Sequence, residues 1–205
     1  DIKYRIGKKV LGNLKWFRSC GNVGDGTMNP ECLEIYQHVR EINSKTYLGI
    51  TTNGGARTPD FYKSLAELGV EVIFSIDGLE DTNHLYRRNV RWEKVMSNAE
   101  AFIKAGGNAL WEFLIFKHNQ NQVEQAEELS RKIGFKNFFR KTTSRWNDFD
   151  SEGNWVQREK LLVDGYELEK PTEEYKKYER LREVKKQHVK VKRIQCHSYN
   201  KWNVE

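Results

Sequence analysis

Segments with the pattern of buried strands alternate along this chain with segments of helical periodicity, and the connections between them are short. That alternation constrains the fold more than any other feature, because it implies parallel strands joined by right-handed crossovers. The strand-like segments are Leu14–Cys20, Thr46–Thr51, Val70–Ile76 and Ala109–Phe116, and a fifth begins at Lys136–Arg140. Between them lies Glu31–Ile42, whose Cys32, Ile35, Tyr36, Val39 and Ile42 fall at helical spacing. A second helix starts near Pro59, runs on through Phe61–Leu68 and is closed by Gly69. Trp92–Ala105 and Gln122–Ile133 are amphipathic, with Gly106-Gly107 and Gly134 at their ends. Residues 1–13 are basic and weakly patterned and read as the end of a helix. A parallel barrel and an open doubly wound sheet both satisfy this pattern; periodicity does not choose between them.

After Lys141 the alternation stops. Thr142–Lys170 is polar and reads as an extended loop or linker, and Thr172–Lys190 reads as a charged helix supported by Glu–Lys pairs. The 205 residues carry a net charge of +6, but Lys170–Arg193 alone holds ten Lys/Arg against four Glu. The remainder is balanced, so a uniformly basic nucleic-acid-binding surface is not indicated, and the charged segment reads as a solvated face. No apolar run has the length of a membrane span, and no secretory signal opens the chain. Three cysteines, Cys20, Cys32 and Cys196, do not make a disulfide framework. An odd count without a signal peptide points to a reducing, cytoplasmic setting. Cys20 and Cys32 read as small core residues.

Four successive strands end in turns rich in glycine or polar residues: GNVGDG, TTNGG, SIDG and FKHNQN. In a parallel barrel these ends converge on one mouth, where ligands bind. They bring Asp25, Asn53, Ser75 and Asp77 there, with Lys117 and His118 on the fourth turn. Such a set suits a small polar ligand carrying an amine, a carboxylate and hydroxyls. On local pattern alone His118 reads as an exposed turn histidine. The chain has no Gly-x-Ser-x-Gly elbow, no Walker loop and no paired metal-binding histidines on a helix.

The order of these turns resembles the radical S-adenosylmethionine (SAM) enzymes. Gly24-Asp25-Gly26, followed by Thr27-Met28-Asn29-Pro30, is similar to that family's GGE or GDP motif with its trailing LLNP. Thr52-Asn53-Gly54 resembles the TNG at the next strand end, and Ser75-Ile76-Asp77-Gly78 the SIDG after it. Tyr86-Arg87 resembles the YR element, and Phe116-Lys117-His118-Asn119 a fifth-strand variant. The likeness covers about residues 14–141. It implies five strands of a (β/α)6 barrel over residues 1–141, a linker and charged helix over 142–193, and the start of a SPASM or twitch extension over 194–205. It also implies SAM and a [4Fe–4S] cluster as cofactors, cleavage of SAM to a 5′-deoxyadenosyl radical, and hydrogen abstraction from a substrate. Gly24, Asp25, Gly26, Asn53, Ser75, Asp77, Arg87 and Lys117 become the expected cofactor contacts. Asp25 is expected at the SAM ammonium, and Ser75 and Asp77 at its ribose and carboxylate. A flavodoxin or ferredoxin is the implied electron donor. A SPASM-like tail would suggest a peptide substrate.

Two departures stand out. The family's CxxxCxxC, which ligates the cluster, is absent, so the chain reads as an internal piece of a longer enzyme. Gly26 also stands where a Glu or Pro is usual. Near the other end, Ile194-Gln195-Cys196 resembles the entrance to an auxiliary-cluster domain, with Cys196 as a ligand. The rival readings are a cluster-free barrel that binds SAM or a partner without catalysis, and a nucleic-acid binder acting through Lys170–Arg193.

Overall fold

The computed structural model describes residues 8–21, 24–149, 152, 155–163 and 165–178. A short helix, α1 (Lys8–Gly12), leads into β1 (Trp16–Ser19). Then come α2 (Cys32–Ile42), β2 (Tyr47–Thr52), α3 (Pro59–Glu67) and β3 (Val70–Ser75). A one-turn helix, α4 (Asn83–Tyr86), precedes α5 (Trp92–Lys104), β4 (Ala109–Leu114), α6 (Val123–Ile133) and β5 (Asn137–Lys141). Expected and observed bounds of the strands and main helices agree within a few residues. Up to β5, α4 is the one α-helix among the described residues that the pattern does not anticipate.

The five strands form one sheet in the order β1-β2-β3-β4-β5, and every neighbouring pair is parallel. A doubly wound sheet reverses strand order at a switch point; this one advances by one strand at each crossover. With right-handed connections, that places all the helices on one face. The open-sheet alternative is thereby removed, and the architecture is a partial barrel.

Alternation along the strands assigns the two faces. Leu48, Ile50, Val72, Phe74, Trp111 and Phe113 face the helices and join Tyr36, Tyr62, Leu65, Val95, Ala99, Phe102 and Ala126 in one buried core. The Trp111 indole donates to the Ile76 carbonyl at 2.9 Å, so this large side chain is buried without an orphan N–H. The other face is polar. Arg18, Tyr47 and Asn108 all donate to the Glu71 carboxylate, and Lys141 pairs with Glu112. Gly49 leaves room for this network, since a Cβ there would lie 2.9 Å from Arg18 Nε.

The segment after β5 corrects one expectation. It is not an extended linker but two antiparallel hairpins, β6 (Asn147–Phe149) with β7 (Trp155–Gln157) and β8 (Lys160–Val163) with β9 (Tyr166–Glu169). Leu161 and Leu168 of the second hairpin pack on Phe116 and Trp146, which is 1% exposed, and close a second small core. Of the expected charged helix, Glu173–Tyr178 is a 3-10 turn. The rest of that helix, Cys196 and the start of a SPASM-like extension lie outside the described residues. Cys32 is buried, and desolvation pushes its thiol up to about 11. Cys20, expected in the core, is exposed, because β1 ends one residue before it.

Candidate functional site

Because all five strands are parallel, the turns after β1, β2, β3 and β4 emerge at one end of the sheet. Gly24 takes φ +114°, a conformation that favours glycine, and it aims Asp25 across the first turn. Asp25 caps the 3-10 turn Gly26–Met28 by accepting from Thr27 N at 3.0 Å and Thr27 Oγ1 at 2.8 Å. Its other oxygen accepts from Thr52 Oγ1 at 2.7 Å and Asn53 N at 2.9 Å. One carboxylate therefore joins the first turn to the second. Gly26 sits against the Ser19 side chain and Ile50 Cδ1, which leaves little room for the bulkier residue usual there.

A second tie crosses the same gap. Arg57 donates from Nε to Thr27 O and from Nη2 to Asn29 O, both at 2.6 Å. Asn98, fully buried on α5, holds the second turn from below through Gly54 O at 2.8 Å and Ala56 O at 3.2 Å. Neither residue was legible as part of the site, because both act through tertiary contacts. The sole local sign is the φ of +65° at Arg57, which sequence does not reveal.

At the third strand end, Ser75 is 6% exposed, and its hydroxyl has no hydrogen-bond partner among the described residues. Asp77 departs from expectation. It is fully buried, with Oδ2 accepting from Arg87 Nε at 2.5 Å and Oδ1 from Leu114 N at 2.6 Å. Burial raises its pKa, and Arg87 and the Leu114 N–H work in the opposite direction. With no exposed surface and both oxygens engaged within the protein, Asp77 underpins the mouth, whereas Asp25 is part-exposed. Asn83 accepts from Asp77 N at 2.9 Å, and Asn119 donates to Asp77 O at 2.8 Å and Leu114 O at 2.9 Å. Gly78 makes this packing possible, as a Cβ there would lie 2.6 Å from Asn83 N. Arg87, anchored through Nε, is a quarter exposed.

Lys117 is also displaced from its expected place. It pairs with Glu169 of β9 and lines a separate cavity with Glu159 and Lys170. His118 is half-buried and stacks on Phe116 at 5.5 Å, contrary to an exposed turn residue. Burial holds its pKa below the ordinary 6.5, and Arg88 and His84 push the same way. The unfolded chain thus binds a proton that the folded one rejects, and stability should fall as pH drops through 6.5. Thermal melts from neutral to mildly acid pH should show that decline, and His118→Phe should flatten it. Equal slopes in the two proteins would remove His118 as the cause.

The mouth thus gathers Gly24, Asp25, Gly26, Asn53, Ser75 and Arg87, with Asp77 beneath and Lys117 to one side. The sequence model of the Radical SAM superfamily matches residues 22–138, more than half of the chain and all four of these strand ends. The chain belongs to the radical SAM superfamily. It is 35% identical over 86 residues to the tungsten-containing aldehyde ferredoxin oxidoreductase cofactor-modifying protein of Pyrococcus furiosus, a match covering 38% of this chain and 23% of that one. It superposes on Streptococcus suis SuiB bound to S-adenosylmethionine with a TM-score of 0.55 and 16% identity, covering 70% of this chain and 32% of SuiB. With anSMEcpe bound to AdoMet and the Cp18Cys peptide, the TM-score is 0.53 at 21% identity, over 65% of this chain and 40% of that one. At these identities the superpositions speak to the fold. The chain spans less than half the length of each of these proteins.

The described residues can be tested against the family's two cofactors. A SAM-like amino acid fits: Asp25 offers a carboxylate, Ser75 an uncommitted hydroxyl, and Arg87 a guanidinium held at one nitrogen. Thr27 Oγ1 can yield its bond to Asp25, since Thr27 N retains the same oxygen. For the family's [4Fe–4S] cluster the described residues supply no ligand set, since no group of three His, Cys, Asp or Glu side chains able to hold a metal occurs among them. No helix among them is long and apolar enough to cross a membrane.

Proposed function

We propose that this chain is the SAM-binding part of a radical SAM enzyme and that Asp25, Ser75 and Arg87 hold the cofactor's ammonium, ribose and carboxylate. The observation that carries this reading is the convergence of these three side chains on one end of a parallel sheet, Asp25 from the turn after β1, Ser75 from the end of β3 and Arg87 from the connection that follows β3. When bound and reduced, SAM supplies a 5′-deoxyadenosyl radical that abstracts hydrogen; the organic chemistry belongs to the cofactor. The chain's own work is positional. Asp25 presents negative charge to the ammonium while tying two turns together. Asp77 holds the Arg87 guanidinium in place, leaving its terminal nitrogens to a carboxylate. Gly24, Gly26 and Asn53 contribute backbone shape and polar groups around Asp25.

A peptide is the substrate class we favour, supported by anSMEcpe, a structural neighbour whose complex contains one. The Pyrococcus furiosus relative, a cofactor-modifying protein by name, supports a small cofactor as the second reading. A flavodoxin or ferredoxin is the proposed electron donor. We also propose the unit boundaries 1–141, 142–193 and 194–205.

Calorimetric titration of the chain with SAM tests the site. Removing the charged partner of the carboxylate in Arg87→Met should weaken binding by about 1.5–3 kcal/mol, the range for a hydrogen bond to a charged group. Ser75→Ala should cost about 1 kcal/mol, as for a neutral bond. Unchanged affinity in Arg87→Met would overturn the assignment.

A further inference from the structure

Bordering the cofactor mouth, on the α3–α5 side, lies a cavity of about 820 Å³ that shares Asp25 and Asn53 with it and extends to residues with no role above, Arg88, Val90 and Lys94 among them. Arg57, Arg88 and Lys94 line it, and Asp25 is the one carboxylate on its wall. We propose that this cavity is a second ligand site, which takes the oxyanionic head, phosphate or carboxylate, of a molecule with an apolar body.

The charge argument comes first. Several arginines elsewhere meet acids, Arg18 with Glu71, Arg87 with Asp77 and Arg140 with Glu127, while Arg40 spends its guanidinium on backbone carbonyls. Arg57, Arg88 and Lys94 form no ion pair among the described residues. Both guanidiniums lie over aromatic rings, and Arg57 is also held by the Thr27 and Asn29 carbonyls. Arg88 lies 3.2 Å from the centre of the Tyr166 ring, and Arg57 lies 5.4 Å from that of Phe61. Arg57 gives Nε and Nη2 to Thr27 O and Asn29 O and retains Nη1, whereas the Arg88 guanidinium has no hydrogen bond among the described residues and can fork onto an oxyanion. Asp25 brings one negative charge against three positive ones, and its four hydrogen bonds come from Thr27, Thr52 and Asn53, not from these cations.

Two helices add to the positive field. Thr58 at the start of α3 and Lys94 in the first turn of α5 both border the cavity, and neither helix has a side-chain cap on its N-terminus. Uncapped amide groups there favour an anion. The acids of those first turns, Asp60 and Glu93, are not on the cavity wall, and Asp60 is paired with Lys63. Arg57 and Asn89, the two non-glycine residues with positive φ among the described residues, both line it, at +65° and +57°. Such backbone is held only where its surroundings enforce it.

Size and lining set the rest of the ligand. The volume lies within the range of small-molecule sites and exceeds what a bare ion fills. Met28, Phe61 and Val90 give an apolar wall to receive a body.

Calorimetry on the full chain with three probes tests the proposal: phenyl phosphate, 3-phenylpropionate and benzyl alcohol. At least one anion should bind roughly tenfold or more tightly than the alcohol, and which one does identifies the head group. In the Arg88→Gln/Lys94→Gln double variant that affinity should fall by roughly tenfold, while SAM affinity stays within about twofold of the parent's. Equal binding of alcohol and anions, or undiminished anion binding in the double variant, overturns the site. A parallel fall in SAM affinity also overturns it, by merging the cavity with the cofactor mouth. A chain that binds the anion but not SAM would leave this site standing and remove the cofactor reading.

Discussion

Asp77→Ala is expected to destabilise the fold by about 3–5 kcal/mol, the range for removing one partner of a buried ion pair. Asp77 is fully buried, and its removal strands two donors at once. Arg87 Nε loses its 2.5 Å bond and Leu114 N its 2.6 Å bond. The Leu114 amide lies at the end of β4, at the bottom of a turn, where water cannot replace the lost acceptor without opening the strand end. The second variant, Asp77→Asn, keeps the shape and one acceptor, so it should cost less. Urea unfolding gives the magnitude, and hydrogen exchange locates it: the Leu114 amide should lose protection before those of β2. A loss below about 1 kcal/mol in Asp77→Ala would mean that the pair contributes no more than an exposed one.

That prediction reverses the role which the turn pattern alone assigns to Asp77, and the reason is physical. A carboxylate after a strand in a Ser-Ile-Asp-Gly turn has the same local signature whether it meets a ligand or the next strand. Which of the two it meets depends on Arg87, ten residues on, and on Leu114 in a neighbouring strand. Ser75, two residues earlier, ends β3 and is 6% exposed. The helices and strands were legible because their buried faces repeat at fixed periods; Val95, Ala99 and Phe102 on α5 fall in the core as their spacing requires. The hairpins after β5 were missed for a different reason. Their strands are only three or four residues long, too short for alternation to register. Yet Val163-Asp164-Gly165-Tyr166 carries the Asp-Gly pair of a two-residue hairpin loop, and Gly165 takes the φ of +81° that such loops need. That local signal was available. Lys117 was misplaced with the same segment, because its partner Glu169 lies in the unrecognised β9.

The second large effect is expected at Asp25, where folding and the proposed SAM contact draw on the same two oxygens. Asp25→Asn leaves one oxygen to accept and replaces the other with an NH2 group that can only donate. If the amide oxygen keeps Thr27, the nitrogen faces Asn53 N and Thr52 Oγ1, and Asn53 N loses its acceptor. If it turns the other way, Thr27 N is stranded instead. The first orientation loosens the Asp25 tie between the two turns and leaves Arg57 to Thr27 O and Asn29 O as the remaining one, while the second undoes the cap within the first turn. SAM binding should weaken by about 1–3 kcal/mol, as for loss of a charge-assisted hydrogen bond, and stability should fall by a similar amount. Asp25→Glu separates the two effects. It retains the charge, but its longer stem cannot keep all four acceptor contacts, so it should lose stability and keep more of the SAM affinity than Asp25→Asn. Calorimetric titration with SAM and urea midpoints on all three proteins give both quantities. If Asp25→Asn binds SAM as tightly as the parent while its stability falls, Asp25 is a structural staple between two turns and the ammonium is held elsewhere.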